Sequence, residues 1–277
     1  MSELAHTTYG LIEYRDVGQG PVMLILNGGH TNCDSPLGDE RFLLDQGYRL
    51  IIPSRPGYGK TPSSTGRTSE AFADALVSLL DLLHLDQVIV VGISAAGPTA
   101  LQLAGRSPRR VSKLILESAQ TGSLFATGFT RFGTYIVFNP LVERWFWAAY
   151  RAYAHRAPQA ALKMMMRSLS SLPGDQALAS MTQQQRQAAL ALLLASRSGS
   201  GFLHDIHHHC GDLSRITAST LIIHSEYDGA VSLSHAIFAQ KRIPNAELFV
   251  SKAESHLLWF SAAYGAMRAK LRVFLQA

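Results

Sequence analysis

The sequence has little cysteine, little charge and no long apolar run. Its two cysteines, Cys33 and Cys210, make no disulfide framework, and we expect a reducing, cytoplasmic location. Charged residues form 16% and apolar residues 47% of the chain, a balance that excludes intrinsic disorder. No apolar run reaches the ~18–20 residues of a membrane span. Residues 1–10 lack the basic and apolar regions of a signal peptide, so we expect an intracellular protein.

Motifs for nucleotide cofactors are also missing. No G-x-G-x-x-G follows the first strand, and no G-x-x-x-x-G-K-[ST] phosphate loop occurs anywhere. One cluster resembles a metal site: His204, His207, His208, His209 and Cys210. Three adjacent helical residues point to different sides, however, and no flanking zinc pattern is present. We therefore expect neither a cofactor nor a metal.

Short apolar runs alternate with helical patterns up to about residue 119. Strands are predicted over 11–17, 22–26, 49–52, 88–91 and 113–116, and helices over 69–83 and 95–105. After residue 212 the pattern returns, with strands over 220–223 and 247–250 and helices over 232–240 and 255–275. Strands that alternate with helices predict an α/β fold with a mostly parallel sheet covered on both faces.

The middle of the chain has a different composition. Residues 120–212 contain no clear strand run, are rich in aromatic residues, Met, Arg and Gln, and predict four or five helices. We therefore expect an α/β core from residues 1–119 and 213–277, with 120–212 inserted as an all-helical unit.

The most specific signal lies between the apolar strand at 88–91 and an alanine-rich helix. There Gly92-Ile93-Ser94-Ala95-Ala96-Gly97 places a serine on a sharp strand-to-helix turn. Such a turn strains the serine backbone so that its hydroxyl stands clear, and small neighbours relieve the crowding. The helix amino terminus then points N–H groups at the hydroxyl. We predict Ser94 as a nucleophile; the alternative is a serine that only caps the helix.

With this turn the chain resembles the α/β-hydrolase superfamily over nearly its whole length. The family pattern is G-x-S-x-G, and Ala96 replaces its second glycine. The resemblance implies a mostly parallel central sheet flanked by helices, an inserted helical cap over the site, and the chain order nucleophile, acid, histidine. A serine at the turn argues against haloalkane dehalogenases and epoxide hydrolases, which carry Asp there.

Asp228 and His256 stand at the positions that match the family's acid and base. Asp228 follows the first strand of the final section, in the place of the family's G-x-x-D, and His256 follows the last strand, in the place of its G-H. A serine replaces the glycine in both motifs. With Ser94 they form the triad that the resemblance implies. Glu226 and Glu117 are alternative acids, the second because some relatives place the acid after that earlier strand.

The loop Asn27-Gly28-Gly29-His30 matches the position of the family's H-G-x or H-G-G. Glycine lets the backbone turn its N–H groups toward a developing oxyanion. We predict the N–H groups of Gly29 and Ala95 as the two donors, with His30 as the alternative first donor because the loop register is open. Arg55, in a segment that resembles the family's D-R-x-G-x-G, is expected to be a structural anchor.

Aromatic and methionine side chains of the insertion are predicted to form the substrate pocket. The predicted substrate-binding residues are Trp145, Phe146, Tyr150 and Met165, with Phe125, Phe129, Phe132 and Trp147 as further candidates. Packing of cap against core is the alternative role for each of them. They predict a small hydrophobic acyl or ring-bearing substrate.

The resemblance implies a serine hydrolase that cleaves an ester, thioester, lactone, amide or C–C bond through an acyl-enzyme. Proline iminopeptidase-like relatives usually carry H-G-G-P-G, and no proline follows Gly29 here. Alternatives on the same fold are a hydroxynitrile lyase, a haloperoxidase-like enzyme or a low-turnover ligand receptor. The sequence leaves a monomer and a homodimer open.

The net charge of +5 is concentrated in the insertion. Residues 120–212 hold eight basic and four acidic residues, whereas the rest of the chain holds 17 basic and 16 acidic ones. A near-neutral core with a basic cap excludes a general nucleic-acid-binding surface. The basic cap is either an ordinary solvated surface or a means of steering an anionic substrate.

Overall fold

The computed structural model describes residues 1–36, 40–122, 135 and 137–277. Eight strands form one sheet: β1 (Glu3–Thr7), β2 (Gly10–Val17), β3 (Val22–Leu26), β4 (Arg49–Pro53), β5 (Val88–Ile93), β6 (Val111–Glu117), β7 (Ser219–Ser225) and β8 (Ala246–Ser251). Five helices accompany these strands: α1 (Glu40–Asp45), α2 (Ser69–Leu82), α3 (Gly97–Arg106), α9 (Leu233–Arg242) and α10 (Tyr264–Gln276). Phe125, Phe129 and Phe132 lie outside the described residues.

The sheet has the strand order β1-β2-β4-β3-β5-β6-β7-β8. The pairs β1–β2 and β2–β4 are antiparallel, and the five remaining pairs are parallel. The central strand β5 is buried at every position, as its unbroken apolar run predicts for a strand covered on both faces. The predicted mostly parallel α/β sheet is thus confirmed.

Strand alternation divides the core into two layers. On β3, Leu24 and Leu26 join α2, α3 and α9 on one face, while Met23 and Ile25 belong to the cluster on the other face. Side chains alternate because successive residues of a strand point to opposite faces. The cluster that contains Met23 and Ile25 also includes residues of α1 and α10, and it continues into the segment between β6 and β7.

Five helices lie between β6 and β7 in residues 143–205. Turns and one isolated β-bridge are the other secondary structure described there. The helices are α4 (Glu143–Arg156), α5 (Pro158–Leu169), α6 (Gly174–Ala179), α7 (Gln183–Ala195) and α8 (Gly201–Asp205). Residues 137–212 are called the helical segment below. An isolated antiparallel β-bridge pairs Ser170 of this segment with Asp228 of the core. No helix among the described residues is long and apolar enough to cross a membrane.

Three elements differ from the sequence prediction. The short edge strand β1 and the helix α1 have no strong apolar period and were not predicted. The closing helix begins at Tyr264 instead of residue 255. Residues 257–260 are all buried, and four consecutive buried positions do not fit a helix that packs on one side only.

Candidate active site

Four loops converge at the carboxyl ends of the parallel strands. Gly29 follows β3, Ser94 follows β5, Asp228 follows β7 and His256 follows β8. In an open α/β sheet this edge forms the crevice where ligands bind, because the loops there meet from both sides. The structure therefore brings the predicted nucleophile, acid and base to one place.

Ser94 stands on a strained turn. Its backbone φ is 51°, in the left-handed region that non-glycine residues rarely adopt. A Cβ added at Gly92 would lie 2.5 Å from the Ala100 Cβ, and one at Gly97 would lie 2.1 Å from the Gln120 carbonyl oxygen. Both glycines are therefore required by close approach. Ala96, which replaces the family's second glycine, is fully buried, so its methyl group fits the turn.

A continuous hydrogen-bond chain joins the three predicted triad residues. His256 Nε2 lies 2.8 Å from Ser94 Oγ, and His256 Nδ1 lies 2.7 Å from Asp228 Oδ2. Two hydrogen bonds also fix the backbone of His256. Its backbone N–H donates to the Leu169 carbonyl at 2.7 Å, and its backbone carbonyl accepts from Ser118 Oγ at 2.9 Å. This geometry suits an imidazole that removes the serine proton.

The Asp228 carboxyl group is buried but held in its charged form. Burial alone would raise its pKa, but the neighbouring His256, by charge and hydrogen bond, and the Val231 N–H outweigh burial and lower the pKa below its usual value. Asp228 Oδ1 accepts from the N–H groups of Ala230 and Val231, each at 2.8 Å. Buried His224 lies behind it, with Nε2 3.4 Å from Asp228 Oδ2 and 2.8 Å from the Val231 carbonyl.

The two alternative acids have other partners. Glu226 pairs with Lys252 at the surface, with an N–O distance of 2.7 Å. Glu117 is buried and accepts from Trp259 Nε1 at 3.2 Å. Asp228 is therefore the carboxylate that directly orients the His256 ring.

Arg55 anchors the loop that carries Gly29. Its Nε donates to the Asn27 carbonyl at 2.7 Å, and its Nη2 donates to the Gly28 carbonyl at 3.0 Å. The same guanidinium forms a bidentate ion pair with Asp205 of α8: Nη1 donates to Oδ1 at 2.5 Å and Nη2 donates to Oδ2 at 2.9 Å. Arg55 and Asp205 are each only 2% exposed. These contacts agree with the predicted anchoring role.

The glycine loop after β3 passes directly beside the serine, because a Cβ added at Gly28 would lie 3.1 Å from the Ser94 Cβ. A Cβ added at Gly29 would lie 3.8 Å from the Ala95 Cβ. Gly29 and His30 thus stay the two predicted backbone donors on this loop.

A cavity of about 420 Å³ opens beside Ser94 and His256. Its floor is formed by the core loops, and its walls come largely from the helical segment and are mostly apolar. Three of the predicted substrate-binding residues, Phe146, Tyr150 and Met165, line it. Further lining residues that the sequence analysis did not single out as primary candidates are Phe138, Trp147, Leu192, Leu193 and Phe202.

Trp145 does not line this cavity, so its prediction as a substrate-binding residue has to be corrected. Its side chain is 66% exposed, with the Arg144 guanidinium 5.3 Å from its ring. Two positions along a helix turn the side chain to the opposite side, so Trp147 faces inward where Trp145 faces solvent. A run of aromatic residues on one helix did not reveal which of them faces the site.

The histidine-rich stretch from His204 to Cys210, from which no metal site was expected, brings no three potential metal-binding atoms together among the described residues. His207 Nε2 lies 2.5 Å from the Tyr135 hydroxyl, while His208 lies 3.6 Å from Asp205. Among the described residues only Glu13, Cys33 and Asp34 bring three potential metal-binding atoms together. Burial raises the pKa of the Cys33 thiol to about 11, so it is not a thiolate at neutral pH. This set is therefore poorly suited to hold a metal.

Comparison with known proteins agrees with this architecture. The family model described as "alpha/beta hydrolase fold" matches residues 21–263. The chain belongs to the α/β-hydrolase family. It is 34% identical to the uncharacterized hydrolase YcgS of Bacillus subtilis over 273 residues, which cover 97% of this chain and 96% of that protein.

Two further relatives of this α/β hydrolase extend the comparison. The 2-hydroxy-6-oxo-6-phenylhexa-2,4-dienoate hydrolase of Burkholderia cepacia is 26% identical over 255 residues, 86% of this chain and 82% of that one. The solved structure of an α/β-hydrolase-fold protein from Nakamurella multipartita has a TM-score of 0.85 at 27% identity and covers 98% of this chain and 97% of its own. Relatives named as hydrolases support the prediction of a hydrolase, with the bond it cleaves left open.

Proposed function

We propose that this α/β hydrolase is a serine hydrolase that cleaves an acyl bond of a small apolar substrate. The observation that carries the proposal is the hydrogen-bond chain from Ser94 through His256 to Asp228 at the mouth of an apolar cavity. A serine hydroxyl is a weak nucleophile unless a base accepts its proton and a carboxylate orients that base.

In the first step His256 Nε2 takes the Ser94 proton while Ser94 Oγ attacks the substrate carbonyl carbon. Asp228 accepts a hydrogen bond from the Nδ1–H and stabilises the imidazolium that forms. His256 then gives the proton to the leaving group, and the acyl group remains on Ser94. A water molecule then attacks this ester while His256 removes its proton. His256 returns that proton to Ser94 Oγ as the bond to the acyl group breaks, so the acid is released and the enzyme returns to its starting state.

The N–H groups of Gly29 and Ala95 are the proposed donors to the oxyanion. Ala95 lies in the turn Ser94–Ala96 that precedes α3, and a Cβ added at Gly29 would lie 3.8 Å from the Ala95 Cβ, so the two residues are neighbours. Arg55 holds the carbonyls of Asn27 and Gly28, which fixes the direction of the peptide planes on this loop. Donors that are held before the substrate arrives stabilise the transition state without reorganisation.

The helical segment is the proposed cap, with Phe146, Tyr150 and Met165 as substrate-binding residues. Its apolar walls would exclude water from the carbonyl group during attack, which strengthens the hydrogen bonds made to the oxyanion. The bridge between Ser170 and Asp228 ties this cap directly to the acid-bearing loop.

The test is hydrolysis of short p-nitrophenyl esters by the wild-type protein and by Ser94→Ala. We expect kcat to fall by at least about a thousandfold, since the covalent step is lost. Ser234→Ala, at an exposed position on α9, is the matched control and should retain the wild-type rate. Equal rates for wild type and Ser94→Ala would contradict the proposal.

A further inference from the structure

His30 occupies an unusual position in the cavity wall. Its backbone φ is 63°, in the region that a side chain other than glycine rarely adopts. Its ring packs against Phe202, Phe138 and Trp147, with centroid distances of 4.0, 4.8 and 5.3 Å. A strained backbone and three aromatic contacts hold the imidazole in one orientation within the site.

The neighbouring hydrogen bonds define which ring nitrogen carries the proton. The Trp147 indole N–H donates to Ser198 Oγ at 2.7 Å, and Ser198 Oγ lies 2.9 Å from His30 Nδ1. Ser198 is fully buried, and His30 Nδ1 is the only acceptor for its hydroxyl proton among the described residues. A buried hydroxyl proton without an acceptor is costly, so Ser198 donates to Nδ1 and the proton of the ring sits on Nε2.

The Nε2–H group has no partner in the described part of the protein. It makes no hydrogen bond there, it is not among the enclosed unpartnered atoms, and the ring lines the cavity. Burial lowers the pKa of His30 to about 4, so the ring is neutral at physiological pH. The cavity therefore presents an uncharged donor beside the aromatic rings of Phe202, Phe138 and Trp147.

We propose that His30 Nε2–H binds a neutral oxygen of the substrate other than the reacting carbonyl, such as an ether, ester or second carbonyl oxygen. The described lining residues include no lysine or arginine, so a carboxylate would find no cationic partner among them. An unpaired buried charge is unfavourable, whereas a neutral acceptor satisfies the donor. His30 is thus a specificity-determining residue for neutral, oxygen-bearing apolar substrates, an assignment that rests on the serine-hydrolase function proposed above.

The test compares ester pairs in which an ether oxygen replaces one methylene group. The pairs are p-nitrophenyl methoxyacetate against butanoate, p-nitrophenyl β-methoxypropanoate against pentanoate, and methoxyethyl butanoate against butyl butanoate. For each pair the ratio of kcat/KM values is measured in the wild type and in His30→Phe, which keeps an aromatic ring but removes both nitrogens. Intrinsic differences between the two esters cancel in this comparison.

We expect the ether-to-methylene ratio of at least one pair to fall about five- to tenfold in His30→Phe, as for the loss of one neutral hydrogen bond. Phe202→Leu, which alters the packing on the ring and leaves its nitrogens in place, should weaken both members of a pair equally. His30→Gly is the second variant if His30→Phe does not fold, because glycine accepts a positive φ and carries no side-chain donor. Unchanged ratios in all pairs would overturn the assignment.

Binding separates this assignment from the proposed function. In the Ser94→Ala background, the affinities of the same esters are measured by tryptophan fluorescence, with and without His30→Phe. If the wild type hydrolyses no ester, the serine-hydrolase function fails, and these affinities alone decide the role of His30. If the ether-to-methylene ratio of affinities is the same in Ser94→Ala and in Ser94→Ala with His30→Phe, the proposed role of His30 is rejected.

Discussion

The α/β core and the helical segment contribute to the same site in different ways. The core supplies polar atoms whose partners are fixed: Ser94, His256 and Asp228 are linked atom to atom, and Arg55 holds the loop beside them. The helical segment supplies mostly apolar walls, and a side chain of this segment contributes to the cavity only if its helix face is turned toward it. Under the proposed function, the core carries the reaction chemistry, whereas the segment, together with the core residue His30, determines substrate choice.

The largest expected effect concerns the core, where two candidate acids can be compared directly. Asp228→Asn should lower kcat by about a thousand- to ten-thousandfold, because the neutral amide no longer favours the productive tautomer of His256. Glu226→Gln, only two positions away but paired with Lys252 at the surface, should remain within about twofold of the wild type. Ester hydrolysis measures both. A larger loss in Glu226→Gln than in Asp228→Asn would reassign the acid.

The next effect concerns the ion pair that joins the two regions. Arg55→Ala leaves the Asp205 carboxylate buried without its partner and should lower the free energy of unfolding by about 3–5 kcal/mol. Arg106→Ala, which removes a surface pair with Asp74, should cost less than about 1 kcal/mol. Urea unfolding of both variants gives the comparison. Equal losses would show that Arg55 is no more than a surface contact in energetic terms.

Two tryptophans on one helix test the role of direction in the segment. Trp147→Leu should lower kcat/KM for apolar esters about tenfold or more, because it removes a wall of the cavity and the donor to Ser198. Trp145→Leu should stay within about twofold of the wild type, since its ring faces solvent. The result that would reverse this account is a larger effect from Trp145→Leu, with both variants folded by circular dichroism.

This pair also shows where sequence reasoning reached its limit. The strands and the nucleophile turn could be predicted because unbroken β-branched runs, a small-residue turn and the chain order of three residues each have one structural solution. The helical segment has no such constraint: Trp145, Phe146 and Trp147 are adjacent, and only the packing of α4 decides which face turns inward.

The smallest effect concerns pH and arises where the core residue His30 is enclosed by aromatic rings of the segment. Burial lowers its pKa from 6.5 to about 4. Between these values the unfolded chain binds a proton that the folded chain does not, so stability falls as the pH falls. His30 should contribute up to about 1.4 kcal/mol per pH unit to this slope.

Urea unfolding between pH 7 and pH 5 measures this contribution. His30→Asn should give a shallower dependence of stability on pH than the wild type. Ser234→Ala, at an exposed position on α9, is the control and should leave the slope unchanged. A wild-type slope in His30→Asn would show that His30 is not buried in its neutral form.

The most direct test of the central claim is covalent labelling of the nucleophile. A fluorophosphonate reacts with a serine only when a base activates its hydroxyl. Intact-mass and peptide mass spectrometry should find one adduct, on Ser94, in the wild type, and no adduct in Ser94→Ala or, over the same time, in His256→Ala. Labelling that persists unchanged in Ser94→Ala, or ester hydrolysis that survives complete modification of Ser94, would contradict the proposed mechanism.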